Sequence, residues 1–133
     1  MRRDSLSVGN SLGFVLASQG YDVWLANYRG NVYSTNHTSL DIEDEAFWRF
    51  NIDDMTREDF PAIIEYVKKV TNQSSIGYIG HSQGNIMMLG LLATQPQFSA
   101  SIKPYIALSP VFYSTQWRGP VTYLRPFTQW ILR

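Results

Sequence analysis

A serine lies at the centre of the pentapeptide Gly80-His81-Ser82-Gln83-Gly84. This G-x-S-x-G pattern is typical of a nucleophile elbow, a sharp strand-to-helix turn that exposes the serine hydroxyl and strains its backbone. The turn leaves little room for side chains two residues to either side, and Gly80 and Gly84 meet that requirement. The spacing therefore predicts Ser82 as a nucleophile and the two glycines as elbow glycines.

The residues around the pentapeptide favour an elbow over an ordinary glycine-bracketed turn. Residues 75–79 have the pattern of a buried strand, and residues 85–95 form an apolar helical stretch that ends before Pro96. Strand, serine turn and helix thus follow in the order that the motif needs for confirmation. Serine hydrolases of several classes, including peptidases and thioesterases, share this elbow. Ser82 alone therefore does not identify the substrate.

The usual partners of such a serine are absent from the rest of the chain. In α/β hydrolases the nucleophile precedes an Asp or Glu and then a His that acts as the base. Residues 83–133 contain no Asp, Glu or His, because all 11 acidic residues and both histidines lie at or before position 81. The sequence therefore predicts no triad Asp and no triad His in this chain.

The two histidines are expected to have other roles. His81 adjoins Ser82, and adjacent side chains at such a turn point apart, so we expect His81 to pack structurally. His37 precedes the serine in a polar loop and is interpreted as an ordinary loop residue. Arg29, after a predicted strand, is expected to belong to a structural turn.

The residues themselves do not predict a metal site. The acidic segment 41–45 lacks the glycine and the spacing of a calcium loop, so we interpret it as a solvated face. Asp53 and Asp54 fit the start of a helix better than a general acid. The chain has no cysteine, which excludes a disulfide, a thiol nucleophile and a cysteine-ligated metal.

Predicted strands and helices alternate, which indicates a mostly parallel sheet with crossover helices. Beside the elbow strand and helix, four elements are expected. The first is a helix that begins at a cap of Asn10 or Ser11 and ends at Gly20, and a buried strand over 21–27 follows it. The other two are a helix that begins at a capping box of Thr56 and Asp59, and a strand over 105–108. This count predicts three parallel strands and three helices.

Length and charge restrict the possible functions. The chain has 133 residues, whereas a complete domain of this type needs about 200 or more, so we expect a fold truncated at both ends. The net charge of +0 argues against a nucleic-acid partner and a polybasic membrane anchor. No apolar stretch has the length of a signal peptide or a transmembrane segment. Asn36-His37-Thr38 and Asn72-Gln73-Ser74 match the N-glycosylation pattern.

Several spaced segments together resemble the acid lipases, the gastric and lysosomal branch of the α/β hydrolases. The resemblance covers roughly residues 9–115 and rests on motifs that occur in order. These segments are residues 10–14 (NSLGF), 20–24 (GYDVW), 27–31 (NYRGN), 47–48 (FW), 59–62 (DFPA), 80–84 (GHSQG) and 107–111 (ALSPV). Asn85 stands where this family more usually has Thr.

The resemblance implies a partial α/β-hydrolase fold in a single domain over residues 1–133, with residues 112–133 as the start of a cap region. It implies hydrolysis of neutral lipid esters, contact with a lipid interface, and no cofactor. By position, Ser82 is the nucleophile and the backbone N–H of Gln83 is an oxyanion-hole donor. The resemblance also suggests a secreted or lysosomal location.

Two functional hypotheses remain. In the first, the chain is part of a triacylglycerol or sterol ester lipase whose Ser82 forms an acyl-enzyme. In the second, it is a non-catalytic lipase homologue that binds lipid or a partner, because a serine without its base retains only a small part of the catalytic rate.

Overall fold

A computed structural model describes residues 11–111 of the chain. Helix α1 spans Leu12–Ser18, and Gly20 follows it with a left-handed φ of 90°. The predicted helix and its glycine stop are therefore confirmed. The Ser11 side chain makes no capping hydrogen bond, and the alternative predicted cap, Asn10, lies outside the described residues.

The predicted buried strand over 21–27 is wrong. This segment has no strand pairing, and the side chains of Tyr21, Trp24 and Leu25 are 67%, 42% and 79% exposed. A strand needs the backbone groups of a neighbour, and the two strands within residues 11–111 pair with each other instead. Trp24 packs edge-on against Tyr66, with 6.0 Å between the ring centroids.

A long helical segment occupies the middle of the described chain. It consists of α2 over Ile52–Asp54, a π-helical turn over Met55–Asp59, and α3 over Phe60–Thr71. Short π-helical turns inside α-helices are rare and widen one turn of the helix. Here the wide turn provides Glu58 and Asp59, which bind a distant loop.

The capping box of this segment lies five residues before the predicted one. The Asn51 side chain accepts the N–H groups of Asp53 and Asp54, and the Asp54 carboxylate accepts the Asn51 N–H at 2.9 Å. The predicted box of Thr56 and Asp59 is wrong, because the buried Thr56 hydroxyl donates to the Ile52 carbonyl at 2.7 Å. The interpretation of Asp53 and Asp54 as helix-start residues is confirmed.

The elbow strand and helix form a β-α-β unit. Strand β1 spans Ile76–His81, α4 spans Gln83–Thr94, and β2 spans Ile102–Leu108 after a 3₁₀ turn over Pro96–Ser101. The two strands are parallel. Two of the three predicted parallel strands are thus present, and the third is the unpaired segment 21–27.

The core lies where α3 and α4 pack on one face of this two-stranded sheet. Met87, Met88 and Leu91 of α4 are 0% exposed. They form one cluster with buried residues of the neighbouring elements, namely Met55, Phe60, Ile64 and Ile102. Helix α4 is apolar on all sides, as expected of a buried helix.

Arg29 ties the loop after segment 21–27 to the π-helical turn. Its backbone N–H and its Nε donate to the two carboxylate oxygens of Asp59 at 2.9 and 2.7 Å. Its Nη2 donates to Glu58 at 2.6 Å. The hydrogen bond to Asp59, followed by the one to Glu58, raises the pKa of the Arg29 guanidinium above its usual value. The structural role expected for Arg29 is confirmed.

We expect Arg29→Ala to lower the free energy of unfolding by about 1.5 to 3 kcal/mol, the range for hydrogen bonds to charged groups. The reason is that the Asp59 side chain is only 12% exposed and loses its cationic partner. Arg49→Ala is the matched control, because the Arg49–Glu45 pair is 71% and 87% exposed and contributes about 0.5 kcal/mol or less. Denaturant unfolding of both variants measures how much each lowers the free energy of unfolding. Equal losses would contradict the stabilising role of the hydrogen bonds from Arg29 to Asp59 and Glu58.

The acidic segment 41–45 is exposed, and its carboxylates serve the local turn. Asp44 accepts the Asp41 N–H at 3.2 Å, and Asp41 accepts the Glu43 N–H at 3.0 Å. Within residues 11–111 no three His, Asp or Glu side chains converge on a common point. None of the helices in that range is long and apolar enough to cross a membrane. The predicted cap segment 112–133 lies outside the described residues.

Candidate active site

Ser82 occupies the sharp turn between β1 and α4, with φ 48° and ψ −111°. A non-glycine residue with positive φ is uncommon and costs of order 1 to 3 kcal/mol, so the surrounding structure must hold it in place. Part of that support is the Ser82 N–H, which donates to the Leu108 carbonyl at 3.1 Å. The strained serine is thereby tied to the end of the neighbouring strand.

Both flanking glycines are closely packed, and Gly80 has no space for a side chain. A Cβ built on Gly80 would lie 2.6 Å from Asn85 Oδ1 and 2.9 Å from Tyr78 Cε1. A Cβ on Gly84 would lie 3.0 Å from the Tyr78 hydroxyl. Gly80 does not have a positive φ, so its backbone conformation does not require glycine. Glycine is required there because neighbouring side chains lie too close for a Cβ.

Asn85 links the first turn of α4 to strand β2. Its side chain is 0% exposed, its Nδ2 donates to the Leu108 carbonyl at 2.8 Å, and its Oδ1 accepts from the Tyr105 hydroxyl at 3.0 Å. The Leu108 carbonyl therefore accepts from both Asn85 and Ser82. Sequence reasoning noted Asn85 only as a departure from Thr. The available signal was a carboxamide in an otherwise apolar helix, since buried polar groups need partners.

Two tyrosines pack beneath the elbow. The Tyr78 hydroxyl donates to the Gly84 carbonyl at 3.0 Å, and the Tyr78 and Tyr105 rings lie 5.8 Å apart. Burial, followed by the neighbouring Tyr105, raises the pKa of Tyr78 well above its usual value. Burial also raises the pKa of Tyr105. Both phenols therefore stay protonated and can donate their hydrogen bonds at neutral pH.

This pair makes stability sensitive to alkaline pH. Because the native pKa values exceed the unfolded value of about 10, the native state holds more protons above that pH, and the free energy of unfolding falls as pH rises. The fall approaches about 1.4 kcal/mol per pH unit for each retained proton. We expect Tyr78→Phe to flatten this decline above about pH 10. Urea unfolding at several pH values measures the slope for each protein, and parallel curves for wild type and Tyr78→Phe would contradict the expectation.

Gln83 is the first residue of α4. A backbone N–H at this position has no intrahelical acceptor, and the helix dipole adds a partial positive charge there. The Gln83 side chain lies over two methionines, with its Nε2 3.9 Å from Met55 Sδ and 3.9 Å from Met87 Sδ. The side chain therefore packs on the core, and the backbone N–H remains beside Ser82.

Neither histidine is placed as a base for Ser82. The His37 Nδ1 accepts the N–H groups of Ser39 and Leu40 at 3.1 and 3.0 Å, which confirms that His37 is a loop residue. His81 lies at the end of β1, in register with Leu108, and is exposed. The expected packing role of His81 is therefore wrong, because its side chain lies on the sheet face opposite the core, where Ile79 is also exposed.

The described site thus combines a strained serine, a helix N-terminus behind it and close packing on both sides. A hydroxyl so placed can attack a carbonyl carbon, and N–H groups at the start of α4 can stabilise the negative oxygen that forms. Proton transfer from the serine needs a base. Among residues 11–111, no hydrogen bond joins Ser82 to a carboxylate or an imidazole.

Comparison with known proteins agrees with this geometry. The family model described as alpha/beta hydrolase fold matches residues 9–130. Lipase member M of Homo sapiens is 42% identical over 113 residues, which are 85% of this chain and 27% of that protein. Lipase member J of Homo sapiens is 42% identical over 112 residues, which are 84% of this chain and 31% of that protein.

A lysosomal acid lipase is also similar to this chain. Lysosomal acid lipase/cholesteryl ester hydrolase of Rattus norvegicus is 37% identical over 115 residues, which are 86% of this chain and 29% of that protein. The chain therefore spans less than a third of the length of these curated relatives. The resemblance to the acid lipases is confirmed, and with the family match and the parallel β-α-β unit it leads to one assignment. The chain belongs to the alpha/beta hydrolase fold family.

Proposed function

We propose that this chain supplies the nucleophile of a serine ester hydrolase that acts on neutral lipid esters. The observation that carries the proposal is the left-handed Ser82 between β1 and α4, held by the Leu108 carbonyl and flanked by Gly80, which has no space for a Cβ, and by the closely packed Gly84. A non-functional turn has no need to maintain such strain.

In this proposal the Ser82 hydroxyl oxygen attacks the ester carbonyl carbon while a base takes its proton. The backbone N–H of Gln83 donates to the oxyanion of the tetrahedral intermediate. The alcohol leaves with a proton, an acyl-enzyme remains on Ser82, and water then releases the fatty acid. The Asp and His of the triad come from residues outside these 133, in accordance with the order serine, acid, histidine.

The substrate class rests on the relatives. They are named lipases, and one is named a cholesteryl ester hydrolase. Triacylglycerols and sterol esters are the neutral lipid esters that such names describe. The proposed reaction needs no metal and no organic cofactor, because the nucleophile and the oxyanion donor both come from the protein.

A second candidate is a non-catalytic homologue that binds lipid. One observation favours it: large apolar side chains among the described residues are strongly exposed, with Leu25 at 79%, Val32 at 80% and Tyr33 at 83%. Exposed apolar surface is common where proteins meet lipid or a partner.

Covalent labelling of the native protein separates the two candidates. A fluorophosphonate reacts with a serine only when a base activates it, and peptide mass spectrometry locates the label. We expect a label on Ser82, and we expect a triacylglycerol or sterol ester emulsion to suppress it. Ser109 is the control within the chain, because it also has a positive φ of 46° but lies outside the elbow.

Absence of a label on Ser82 combined with binding to lipid vesicles would favour the non-catalytic candidate. A label that short peptides suppress and lipid esters do not would indicate a peptidase instead. The isolated chain 1–133 gives an additional test. We expect it to hydrolyse activated esters no faster than its Ser82→Ala variant, because residues 83–133 supply no Asp, Glu or His, and a Ser82-dependent burst would contradict this.

A further inference from the structure

The end of helix α3 carries a tripeptide that the proposed reaction does not use. Asn72 follows Thr71, the last residue of α3, and Asn72-Gln73-Ser74 has the N-x-S pattern of an N-glycosylation acceptor. All three residues are exposed. The pattern also occurs by chance, so the structural setting must decide whether the asparagine is available.

The backbone alone closes the end of the helix. Asn72 has φ 53° and ψ 35°, and the N–H groups of Asn72 and Gln73 both donate to the Lys68 carbonyl, the latter at 3.1 Å. Helices often end on a left-handed Gly or Asn in this way. The cap therefore needs the backbone conformation of Asn72 and not its carboxamide.

The two side chains that define the pattern are unengaged. Within residues 11–111 neither the Asn72 carboxamide nor the Ser74 hydroxyl makes a hydrogen bond. The second tripeptide of this pattern differs, because its middle residue, His37, accepts two backbone N–H groups and holds the turn together. Of the two asparagines that match the N-glycosylation pattern, Asn72 therefore lies in the tripeptide with fewer hydrogen bonds to its surroundings.

We propose that Asn72 carries an N-linked glycan. The Asn72 Nδ2 forms a bond to the anomeric carbon of a lipid-linked oligosaccharyl diphosphate, and the bond between that carbon and the diphosphate oxygen breaks. The diphosphate leaves on its lipid with the electron pair, and one proton leaves Nδ2. The Ser74 hydroxyl is the part of the pattern that makes Asn72 an acceptor.

The position is compatible with the candidate active site. Strand β1 separates Asn72 from Ser82, and its six residues extend over about 20 Å. A glycan at Asn72 therefore projects from the end of the sheet opposite the elbow.

The test uses the native protein isolated from its source. Peptide-N-glycosidase in heavy-oxygen water converts a glycosylated asparagine into a heavy-labelled aspartate, which peptide mass spectrometry detects at position 72. We expect this conversion in wild type, and we expect its complete loss in Ser74→Ala. Ser75→Ala is the matched control and should retain the glycan, because Ser75 lies outside the tripeptide.

Unmodified Asn72 in the native protein would overturn the proposal, and Asn72 would then act only as a left-handed helix cap. A conversion that persists in Ser74→Ala would overturn it too. The Ser82→Ala variant should keep the glycan, so that failure of the glycan proposal and failure of the proposed hydrolase function are distinguishable.

Discussion

Replacing Ser82 by alanine is expected to lower the kcat for neutral lipid ester hydrolysis by the native protein by about 10⁴- to 10⁶-fold. In the proposed mechanism the variant loses the oxygen atom that forms the acyl-enzyme, while the elbow glycines and the Gln83 N–H are retained. The remaining rate reflects substrate binding and the oxyanion hole alone. Release of fatty acid from a triacylglycerol emulsion is the measurement.

Ser109→Ala is the control for this experiment, because Ser109 also has a left-handed backbone and lies one residue after Leu108. We expect it to retain most of the activity. A Ser82→Ala variant that keeps wild-type activity would eliminate Ser82 as the nucleophile. An equal loss in both variants would indicate damage to the elbow and not loss of a reacting atom.

The Gly80→Ala substitution is expected to lower the free energy of unfolding by about 3 kcal/mol. Two effects oppose each other. Alanine is favoured over glycine inside a strand by up to about 1 kcal/mol, but its Cβ would lie 2.6 Å from Asn85 Oδ1 and 2.9 Å from Tyr78 Cε1. Because Asn85 is fully buried and bonded on both sides, it cannot move away, and the overlap outweighs the gain.

A double-mutant cycle tests whether Asn85 is the cause. Asn85→Ala alone should cost about 2 to 4 kcal/mol, since it opens a cavity and leaves the Tyr105 hydroxyl without its partner. In the Asn85→Ala protein, Gly80→Ala should lower the free energy of unfolding by about 1 to 2 kcal/mol less than it does in wild type. Some loss remains because the close contact with Tyr78 is still present. Denaturant unfolding of the four proteins gives the coupling energy.

Gly13→Ala provides the comparison for a glycine with space around it. A Cβ on Gly13 would have its nearest neighbour, Leu25 Cδ2, at 3.6 Å, and this substitution inside α1 should be neutral or stabilise by up to about 1 kcal/mol. Strict additivity of Gly80→Ala and Asn85→Ala would contradict the assignment of Asn85 as the residue that excludes a side chain at Gly80.

Local patterns in the sequence predicted the elbow correctly. The strand before Ser82 and the helix after it each depend on neighbours within a few residues, so periodicity and glycine spacing were sufficient. The same reasoning failed for segment 21–27, whose apolar character predicts a strand. Pairing in a sheet depends on a distant neighbour, and the described residues provide none for this segment.

The capping box shows a related limit. Asn51 and Asp54 have the same spacing as Thr56 and Asp59, and both pairs are plausible caps in the sequence. The Thr56 hydroxyl donates instead to the Ile52 carbonyl, and Arg29, which is 30 residues away from Asp59, donates to both of the Asp59 carboxylate oxygens. A contact of that sequence separation is invisible to local pattern analysis.

The sequence by itself determined the identity of the candidate nucleophile, the order of strand, serine and helix around it, and the absence of Asp, Glu and His from residues 83–133. These are properties of residue type and short-range spacing. Only the tertiary structure decided how the elbow is held: the Leu108 carbonyl receives hydrogen bonds from Ser82 and Asn85, and Asn85 in turn excludes a side chain at Gly80. The reason is that parallel pairing of β1 with β2 brings together groups more than 20 residues apart, and burial then requires each polar atom to find its partner.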